Sequence, residues 1–333
     1  MESATVSRRK FIQTSSLAAA ALGFPVHLLN LNFMQTQHDV IIIGGSYSGL
    51  AAAMALGRAS RNVLIIDSGE PCNRQTPHSH NFLTQDGETP AAISAKAKEQ
   101  VLAYPTVTFV DGKAIKAIKT QNSFGVATED GKNFSGTKLL IATGVKDVMP
   151  NIEGFAECWG ISVIHCPYCH GYEVKAQKTA LMANGPMAEH FLPVLLQWTK
   201  DLTLFTNGKA ILSDEFLIKL KQHKIEVIET EIESLQHNKG YMESITLKTA
   251  EVHEIKVMYA KIPAVQHTFI PEDLGCEINE QGYITVDDFK RTTVDGVFAS
   301  GDCTTMMRAV AMAIEGGMKA ATVINNEMCI ASF

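Results

Sequence analysis

One segment constrains the fold of this chain more than any other: residues 39–67, which read DVIIIGGSYSGLAAAMALGRASRNVLIID. Its unbroken β-branched run predicts a strand, and the Ala- and Leu-rich stretch after the glycines predicts a helix. A second apolar strand ends at Asp67. This order of strand, glycine-rich turn, helix and acid-ended strand is typical of a dinucleotide-binding βαβ unit. The segment therefore predicts an α/β fold; a βαβ unit that binds nothing is the alternative.

The residues of the glycine-rich turn predict how a dinucleotide binds there. Gly44 permits the tight turn, and Gly49 lets the helix pack against the strand. Between them, Gly45 and Ser46 lead into a helix N-terminus whose free N–H groups suit a pyrophosphate. Ser46 occupies the position of the middle glycine, so we expect it to crowd the pyrophosphate slightly. Asp67 is placed to accept hydrogen bonds from a ribose.

A second candidate nucleotide-binding edge lies near the C-terminus. A short apolar strand, Val297–Ala299, delivers Gly301 and Asp302 to its carboxyl end, and an Ala- and Gly-rich helix follows. The stretches GVFASGDC and RAVAMAIEGG resemble the second flavin signature of low-molecular-weight thioredoxin reductases. KLLIATGV, at 138–145, resembles the strand that closes the first flavin-binding segment of that family. The resemblance extends from about Asp39 to Ala321.

This resemblance implies an FAD flavoprotein with two Rossmann-like, three-layer nucleotide-binding domains, of which the FAD domain is discontinuous. The implied FAD domain comprises residues 38–150 and 267–333, and residues 151–266 form an inserted NAD(P)H-type domain. A homodimer is also implied. Beyond the glycine-rich turn, the implied FAD contacts are Asn81, Thr143, Gly144, Gly301, Asp302, Arg308, Ala309 and Val310.

Individual roles follow from the same resemblance. Asp302 is expected at the ribityl chain of FAD, and Arg308, Ala309 and Val310 are expected near the isoalloxazine ring. Asn81 matches an asparagine that lies near the flavin in the family. A solvated helix residue is the alternative for Arg308. The neighbouring His78 and His80 are candidates for assisting near the flavin, or are structural loop histidines.

The inserted domain shows an eroded nucleotide site. Its strand-turn-helix-strand segment, residues 178–210, has Ala183 and Asn184 at the first two fingerprint glycine positions, and only Gly185 remains. Where the family carries a His-Arg-Arg run for the adenosine 2′-phosphate, this chain has Thr-Asn-Gly at 206–208. Each lost guanidinium contact removes roughly 1.5 to 3 kcal/mol. NADPH binding is therefore doubtful, and weak or unusual NAD(P)H binding is the alternative.

The stretch HCPYCHGYE, at 165–173, contains a Cys-x-x-Cys pair. A redox disulfide is one interpretation, because such a pair closes a small ring and one of its thiols can have a lowered pKa. Three alternatives stay open. Cys-x-x-Cys-His is the c-type haem attachment motif, the flanking histidines could ligate zinc, and the disulfide could be purely structural.

The position of the pair matches that of the redox cysteines of thioredoxin reductases. The resemblance implies that Cys169 lies against the flavin and that Cys166 exchanges with substrate. Where those reductases have an acid after the second cysteine, this chain has His170. A histidine with an ordinary pKa near 6.5 can take and return a thiol proton near neutral pH.

Composition limits the class and the partners of the protein. The 333 residues carry a net charge of -6, without a basic footprint for nucleic acid. The seven cysteines are an odd number and lack disulfide-framework spacing. Within residues 1–37, Arg8 and Arg9 precede a short apolar run, which predicts a twin-arginine export signal, a periplasmic location and no stable membrane span. An uncleaved signal that acts as an anchor is the alternative.

Together, the export signal and the eroded nicotinamide site favour an FAD-dependent dithiol oxidase. The substrate, a small dithiol or a protein, would reduce the Cys166–Cys169 disulfide, and electrons would pass through the flavin to O₂ or another acceptor. The sequence resembles the branch that includes the fungal gliotoxin-type dithiol oxidases. The alternatives are a disulfide reductase supplied with electrons by NAD(P)H or another donor, and a non-catalytic flavin redox sensor.

Overall fold

The computed structural model describes residues 37–333. The predicted export signal therefore lies outside the described residues, apart from its last position. Among residues 37–333, no helix is both long enough and apolar enough to cross a bilayer.

The first sheet combines strands from the two ends of the described chain. Its strands, in chain order, are Gln37–Ile43, Val63–Asp67, Val107–Asp111, Ala114–Lys119, Phe124–Thr128, Asn133–Ile141 and Val297–Ala299. The third, second, first and sixth of these lie side by side and parallel, and the last pairs with the carboxyl half of the sixth. The fourth and fifth strands continue antiparallel from the amino half of the sixth.

Alternation along the first strand divides the surrounding core into two layers. Val40 and Ile42 pack with buried residues of helices on one face, and Ile41 and Ile43 pack with Phe124 and other residues on the opposite face. Successive side chains of a strand point to opposite faces, and a parallel sheet covered on both faces is apolar throughout. The covering helices are Tyr47–Arg58, Pro90–Leu102 and Val310–Ser332.

The second sheet is formed by the middle of the chain and is wholly parallel. Its strands, in spatial order, are Glu226–Ile228, Leu202–Phe205, Thr179–Met182, Val257–Ala260 and Val163–Ile164. The helices Gly185–Leu195 and Asp214–Gln222 contribute to the core on one face. The strands Ile232–Asn238 and Tyr241–Leu247 contribute to the core on the other, and Val252–His253 pairs with the second of these. The predicted α/β class with two three-layer Rossmann-like domains is confirmed.

A two-stranded ribbon lies where the chain passes between the two sheets. Val145–Asp147 pairs antiparallel with Ala264–Gln266, and Asp147 lies opposite Ala264. The ribbon is next to the predicted domain boundaries at 150–151 and 266–267, which stay predictions. The remaining elements are short: the helical turns Phe155–Cys158, Pro167–His170 and Ile270–Asp273, and the 3-10 turn Asp302–Thr304.

Local sequence signals explain where two of the helices begin. Thr89 accepts a hydrogen bond from the Ala92 N–H at 3.1 Å, and Pro90 follows at the first helical position. Ser213 accepts one from the Phe216 N–H at 3.3 Å, ahead of two acidic residues in the first turn. Such caps satisfy N–H groups that have no partner inside the helix.

Candidate active site

A cleft made of two adjacent pockets, which share lining residues, lies at the carboxyl ends of the first sheet. Its cysteine end contains Cys169 and His170, and its aspartate end, a cavity of about 930 Å³, contains Asp67. Ser46 and Thr143 line both ends. The cleft therefore connects the glycine-rich turn to the Cys-x-x-Cys pair.

The glycine-rich turn leaves no room for side chains at its bends. Gly44 has a φ of +106°, and a Cβ atom there would overlap the Ala142 carbonyl oxygen. A Cβ atom at Gly49 would overlap the Gly44 carbonyl oxygen. The predicted roles of both glycines in a tight turn and in close helix packing therefore agree with the geometry. Ser46 precedes the helix Tyr47–Arg58 and makes no side-chain capping bond.

Asp67 shapes the turn as well as lining the cleft. Its two carboxylate oxygens accept hydrogen bonds from the Gly45 N–H at 2.8 Å and from the Gly69 N–H at 3.2 Å. A Cβ atom at Gly45 would lie 2.8 Å from the Asp67 Cβ atom, so a larger residue does not fit. Gly44 and Asp67 line the aspartate end, whereas Gly45 and Gly49 hold its shape.

Four of the predicted cofactor residues surround the cleft from two other loops. Thr143, Gly144, Gly301 and Asp302 all line its cysteine end. The Thr143 hydroxyl is buried and has no hydrogen-bond partner within residues 37–333. Burial raises the pKa of Asp302, and the Cys72 sulfur lies 3.7 Å from one of its oxygens.

The Arg308 side chain is only 13% exposed and is bound to an acid that the sequence did not single out. Its two terminal nitrogens donate to the Asp147 oxygens at 2.6 and 3.2 Å, and its Nε lies 3.4 Å from an Asp302 oxygen. Although burial alone would raise the pKa of Asp147, these bonds hold it below its usual value. The alternative of a solvated Arg308 is therefore wrong. Arg308, Ala309 and Val310 line the cysteine end of the cleft, and their contacts with the isoalloxazine ring stay a prediction.

The same acid connects Arg308 to the cysteine pair. The Trp159 indole N–H donates to Asp147 at 3.0 Å, and the Trp159 ring stacks on His165 with centroids 5.7 Å apart. His165 directly precedes Cys166. Sequence reasoning missed Asp147 and Trp159, because neither belongs to a recognisable motif and only the folded chain brings them together.

The cysteine pair forms a disulfide on a single helical turn. Cys166 and Cys169 are bonded, with Cα atoms 5.3 Å apart. Cys166 precedes the turn Pro167–His170, and the Cys169 N–H donates to the Cys166 carbonyl at 3.3 Å. Cys169 lines the cleft, whereas Cys166 is outside the set of lining residues. This asymmetry suits different roles for the two sulfurs, and in the disulfide state neither sulfur is free to ligate zinc or to form the thioether bonds of a c-type haem.

Burial lowers the pKa of the histidine on each side of the cysteine pair. It lowers the pKa of His170 to about 4, with a smaller contribution from the nearby His80. It lowers the pKa of His165 to about 3, helped by the positive charges of Arg308 and Lys261. Both imidazoles are therefore neutral at pH 7. His170 can accept a proton there, but its pKa differs from the ordinary value near 6.5 that the sequence suggested.

Asn81 lies in a loop that faces the cysteine turn. It has a φ of +61°, its N–H donates to an Asp86 oxygen at 2.7 Å, and it lines the cleft together with His78 and His80. The His78 ring nitrogen is 2.9 Å from the Gly87 carbonyl oxygen. These residues place two histidines beside the cleft, while the predicted contact of Asn81 with a flavin stays a prediction.

In the second sheet, Asn184 fills the turn where a nucleotide-binding domain has glycines. Its side-chain oxygen accepts from the N–H groups of Gly185 and Ile211, both at 2.8 Å. Its side-chain nitrogen donates to the carbonyls of Thr206 and Lys209 at 3.3 and 2.9 Å. All the hydrogen-bonding positions of one amide are thereby used within the protein, and they tie the turn to the loop after the strand Leu202–Phe205.

The cleft beside the first sheet, in contrast to the filled turn of the second sheet, has the features that FAD requires. The turn at Gly44 opens onto a helix N-terminus suited to a pyrophosphate, and the Thr143 hydroxyl is available to a ligand. Asp67 and Cys169 line two adjacent pockets that share Ser46 and Thr143. An extended dinucleotide with a redox-active ring at one end fits these residues.

Comparisons with known proteins agree with this geometry. Residues 38–317 match the family model described as pyridine nucleotide-disulphide oxidoreductase. The chain is 30% identical over 302 residues to thioredoxin reductase aclD of Aspergillus oryzae, covering 87% of this chain and 96% of that protein. It is 31% identical over 309 residues to thioredoxin reductase tcpT of Claviceps purpurea, covering 87% and 94%.

Solved structures extend the likeness to the whole described fold. The oxidoreductase from Agrobacterium tumefaciens superimposes with a TM-score of 0.83 at 36% identity, covering 89% of this chain and 99% of that chain. The cleft suited to FAD, the disulfide and the sequence similarity therefore all indicate the same family. The chain belongs to the pyridine nucleotide-disulphide oxidoreductase family, as a thioredoxin-reductase-like FAD enzyme that acts on thiols and disulfides.

Proposed function

We propose that this enzyme oxidises substrate dithiols to disulfides and does not take its electrons from NADPH. The observation that carries the proposal is the Asn184 side chain, whose four hydrogen bonds fill the nucleotide turn of the inserted sheet. A nucleotide pyrophosphate at this turn would have to displace them. Each such bond contributes about 1 kcal/mol net, so the protein's own bonds compete directly with the nucleotide.

The region expected to grip a 2′-phosphate is also engaged within the protein. Asn207 accepts a hydrogen bond from the Ile232 N–H at 2.8 Å, and the Thr206 hydroxyl donates to the Gly208 carbonyl at 2.7 Å. Neither side chain carries the positive charge that favours a phosphate. Both features support a flow of electrons that begins at a thiol substrate.

In the first half of the reaction, the Cys166–Cys169 disulfide is the only oxidant that the substrate dithiol needs. A substrate thiolate attacks the Cys166 sulfur, the Cys166–Cys169 bond breaks, and Cys169 leaves as a thiolate. The second substrate thiol then displaces Cys166 from the mixed disulfide. The substrate is oxidised by two electrons and released as a disulfide, and the cysteine pair is reduced by the same two electrons.

His170 is positioned to take the substrate proton. It is neutral at pH 7 because burial lowers its pKa to about 4, and it lines the same end of the cleft as Cys169. The bonded pair Arg308 and Asp147 lines this end of the cleft as well. The glycine-rich turn, Thr143 and Asp302 would hold FAD, which when bound would supply the redox chemistry for returning the pair to its disulfide, with O₂ or another compound as the final acceptor.

The cellular setting forms part of the proposal. The twin-arginine pattern at Arg8 and Arg9 would place the enzyme in the periplasm, where exported thiols are available and NADPH is not expected. A homodimer is proposed from the family resemblance. Small dithiols and exposed protein dithiols are both compatible with the partly exposed Cys166.

Aerobic turnover with a small dithiol tests the function. Purified enzyme with dithiothreitol should consume O₂, or reduce a quinone, over many turnovers per FAD, and NADPH or NADH should not replace the dithiol. A Cys166→Ser variant should lose turnover by on the order of 10³-fold or more while it keeps its FAD. Rapid NADPH-dependent reduction of disulfides would identify a reductase instead, and fewer than two turnovers per FAD would identify a redox sensor.

A further inference from the structure

A histidine with two acidic neighbours, His80, lines the cysteine end of the cleft. The His80 Nε2 atom is 3.5 Å from a Glu173 oxygen, and its Nδ1 atom is 3.6 Å from an Asp86 oxygen. The His80 side chain is 20% exposed, whereas Asp86 and Glu173 are 66% and 41% exposed. His80 and His170 line the same end of the cleft. His80 therefore shares this end of the cleft with His170, and its two carboxylate neighbours are more exposed to water than it is.

We propose that His80 acts through His170, by passing the substrate proton from His170 to Glu173 and Asp86 and so to solvent. This inference rests on the proposed dithiol oxidation. Glu173 follows His170 by three residues, just after the turn Pro167–His170, and Asp86 belongs to the loop that carries His80. The relay thus joins two segments that are distant in sequence.

The need for a proton exit follows from the chemistry of the exchange. When the substrate sulfur bonds to Cys166, the substrate proton moves to His170 and Cys169 is left as a thiolate. Return of that proton to Cys169 would convert it to a thiol, which is a far weaker nucleophile than the thiolate. Transfer of the proton to His80 instead keeps Cys169 ionised and returns His170 to its neutral form for the next substrate.

The charges around His80 favour movement of one proton at a time. Two protonated imidazoles repel each other, and the influence of His80 on the pKa of His170 has this sign. The groups that face His80 are Asp86 and His78 from its own loop, and His170 and Glu173 from the cysteine turn. The two carboxylates lie within 3.6 Å of the His80 ring nitrogens, and their exposure lets water take up the proton.

The test measures opening of the Cys166–Cys169 disulfide by dithiothreitol without oxygen, with an acid quench and alkylation of the free thiols at set times. A His80→Ala variant should open about tenfold more slowly at pH 7, and added imidazole should restore most of that rate. His80→Gln should be equally slow, and Glu173→Gln should be about two- to threefold slower. The matched control is His253→Ala, which breaks another His–Glu pair, at 3.1 Å from Glu251, and should open at the wild-type rate.

Each outcome decides between the relay and its alternatives. Unchanged opening rates for both His80 variants would overturn the relay while leaving dithiol oxidation intact. Slow variants that imidazole does not restore would show a structural role for His80 and would also overturn it. Failure of dithiothreitol to open the wild-type disulfide would overturn both the relay and the proposed function. If His80→Ala loses FAD, the Gln variants give the same comparison.

Discussion

The two nucleotide turns of this enzyme share a βαβ frame and differ in what occupies the bend. In the first, Gly44 and Gly49 leave a bare backbone beside an open cleft. In the second, the amide of Asn184 makes four hydrogen bonds with its own chain. One turn is therefore open to a ligand, and the other is closed by the protein itself.

The difference teaches that a Rossmann-like domain can keep its fold after its nucleotide turn has changed. The second sheet is stabilised by two apolar layers, in which Leu181 and Leu204 pack toward helices and Met182 and Phe205 pack toward the antiparallel strands. None of this burial depends on a nucleotide. Burial of each such side chain contributes roughly 1.5 to 3 kcal/mol, so the frame remains useful as a support for the cysteine turn.

Adding one methyl group to the open turn should have the largest effect. A Gly44→Ala variant places a Cβ atom against the Ala142 carbonyl at a φ of +106°. The strain and the displaced backbone should weaken FAD binding by on the order of 10³-fold, or ~4 kcal/mol. The ratio of flavin to protein absorbance after gel filtration measures this. Full FAD occupancy would mean that the turn does not hold the cofactor.

A second way to sharpen the comparison is to remove the negative charge of Asp147 beside the open cleft. In an Asp147→Asn variant, the Arg308 guanidinium stays buried without its bidentate partner, which should lower the free energy of unfolding by about 3 kcal/mol. Chemical denaturation measures the loss. The control is Asp295→Asn, because Asp295 is 96% exposed and pairs with Lys119 at only 3.9 Å, so it should change stability by less than about 1 kcal/mol. Equal effects would contradict a structural role for the buried pair.

Acid should destabilise the cysteine end of the open cleft. His165 and His170 have folded-state pKa values of about 3 and about 4, below an unfolded value near 6.5. The unfolded chain therefore binds more protons as the pH falls below 6.5, and stability decreases by up to about 1.4 kcal/mol per pH unit for each histidine. Denaturation curves from pH 7 to pH 4.5 should show this slope, and a His170→Gln variant should show a shallower one. Parallel slopes would mean that His170 is not buried in its neutral form.

Opening the second turn should have the smallest effect on FAD binding. An Asn184→Gly variant removes the four side-chain bonds but restores a fingerprint glycine, and at about 1 kcal/mol per bond we expect the free energy of unfolding to fall by up to about 4 kcal/mol. FAD occupancy should stay complete. Calorimetric titration of an Ala183→Gly/Asn184→Gly variant should show NADPH binding at least tenfold tighter than in the wild type. Loss of FAD from this variant would contradict the conclusion that FAD binding depends on the first turn and not on the second.

The sequence predicted the frame well, because strands, helices and glycine turns depend on local residues. The turn at Gly44 and the strand Val297–Ala299 lie where their patterns placed them, and the erosion at Asn184 was visible as a missing glycine. What the sequence could not show was the filling of that turn, since the partners of Asn184 come from a loop more than twenty residues away. The bonds from Asp147 to Trp159 and Arg308 were equally hidden, because Arg308 is 161 residues distant.

The histidines illustrate the same limit. Their position beside the cysteines was evident, yet the lowered pKa of His170 depends on burial that only packing creates. The pairing of His80 with Glu173 joins a loop near residue 80 to the cysteine turn. Chemistry that depends on contacts between distant segments therefore requires the structure.

The most direct test of electron flow is an oxygen-free titration followed by flavin absorbance. NADPH, NADH and dithiothreitol are added in turn to the oxidised holoenzyme, and air is admitted at the end. Bleaching by the dithiol but by neither nicotinamide, with the colour restored by air, is the result that a closed second turn and a dithiol oxidase predict. Rapid bleaching by NADPH would contradict it, and would show that the bonds of Asn184 yield to the nucleotide.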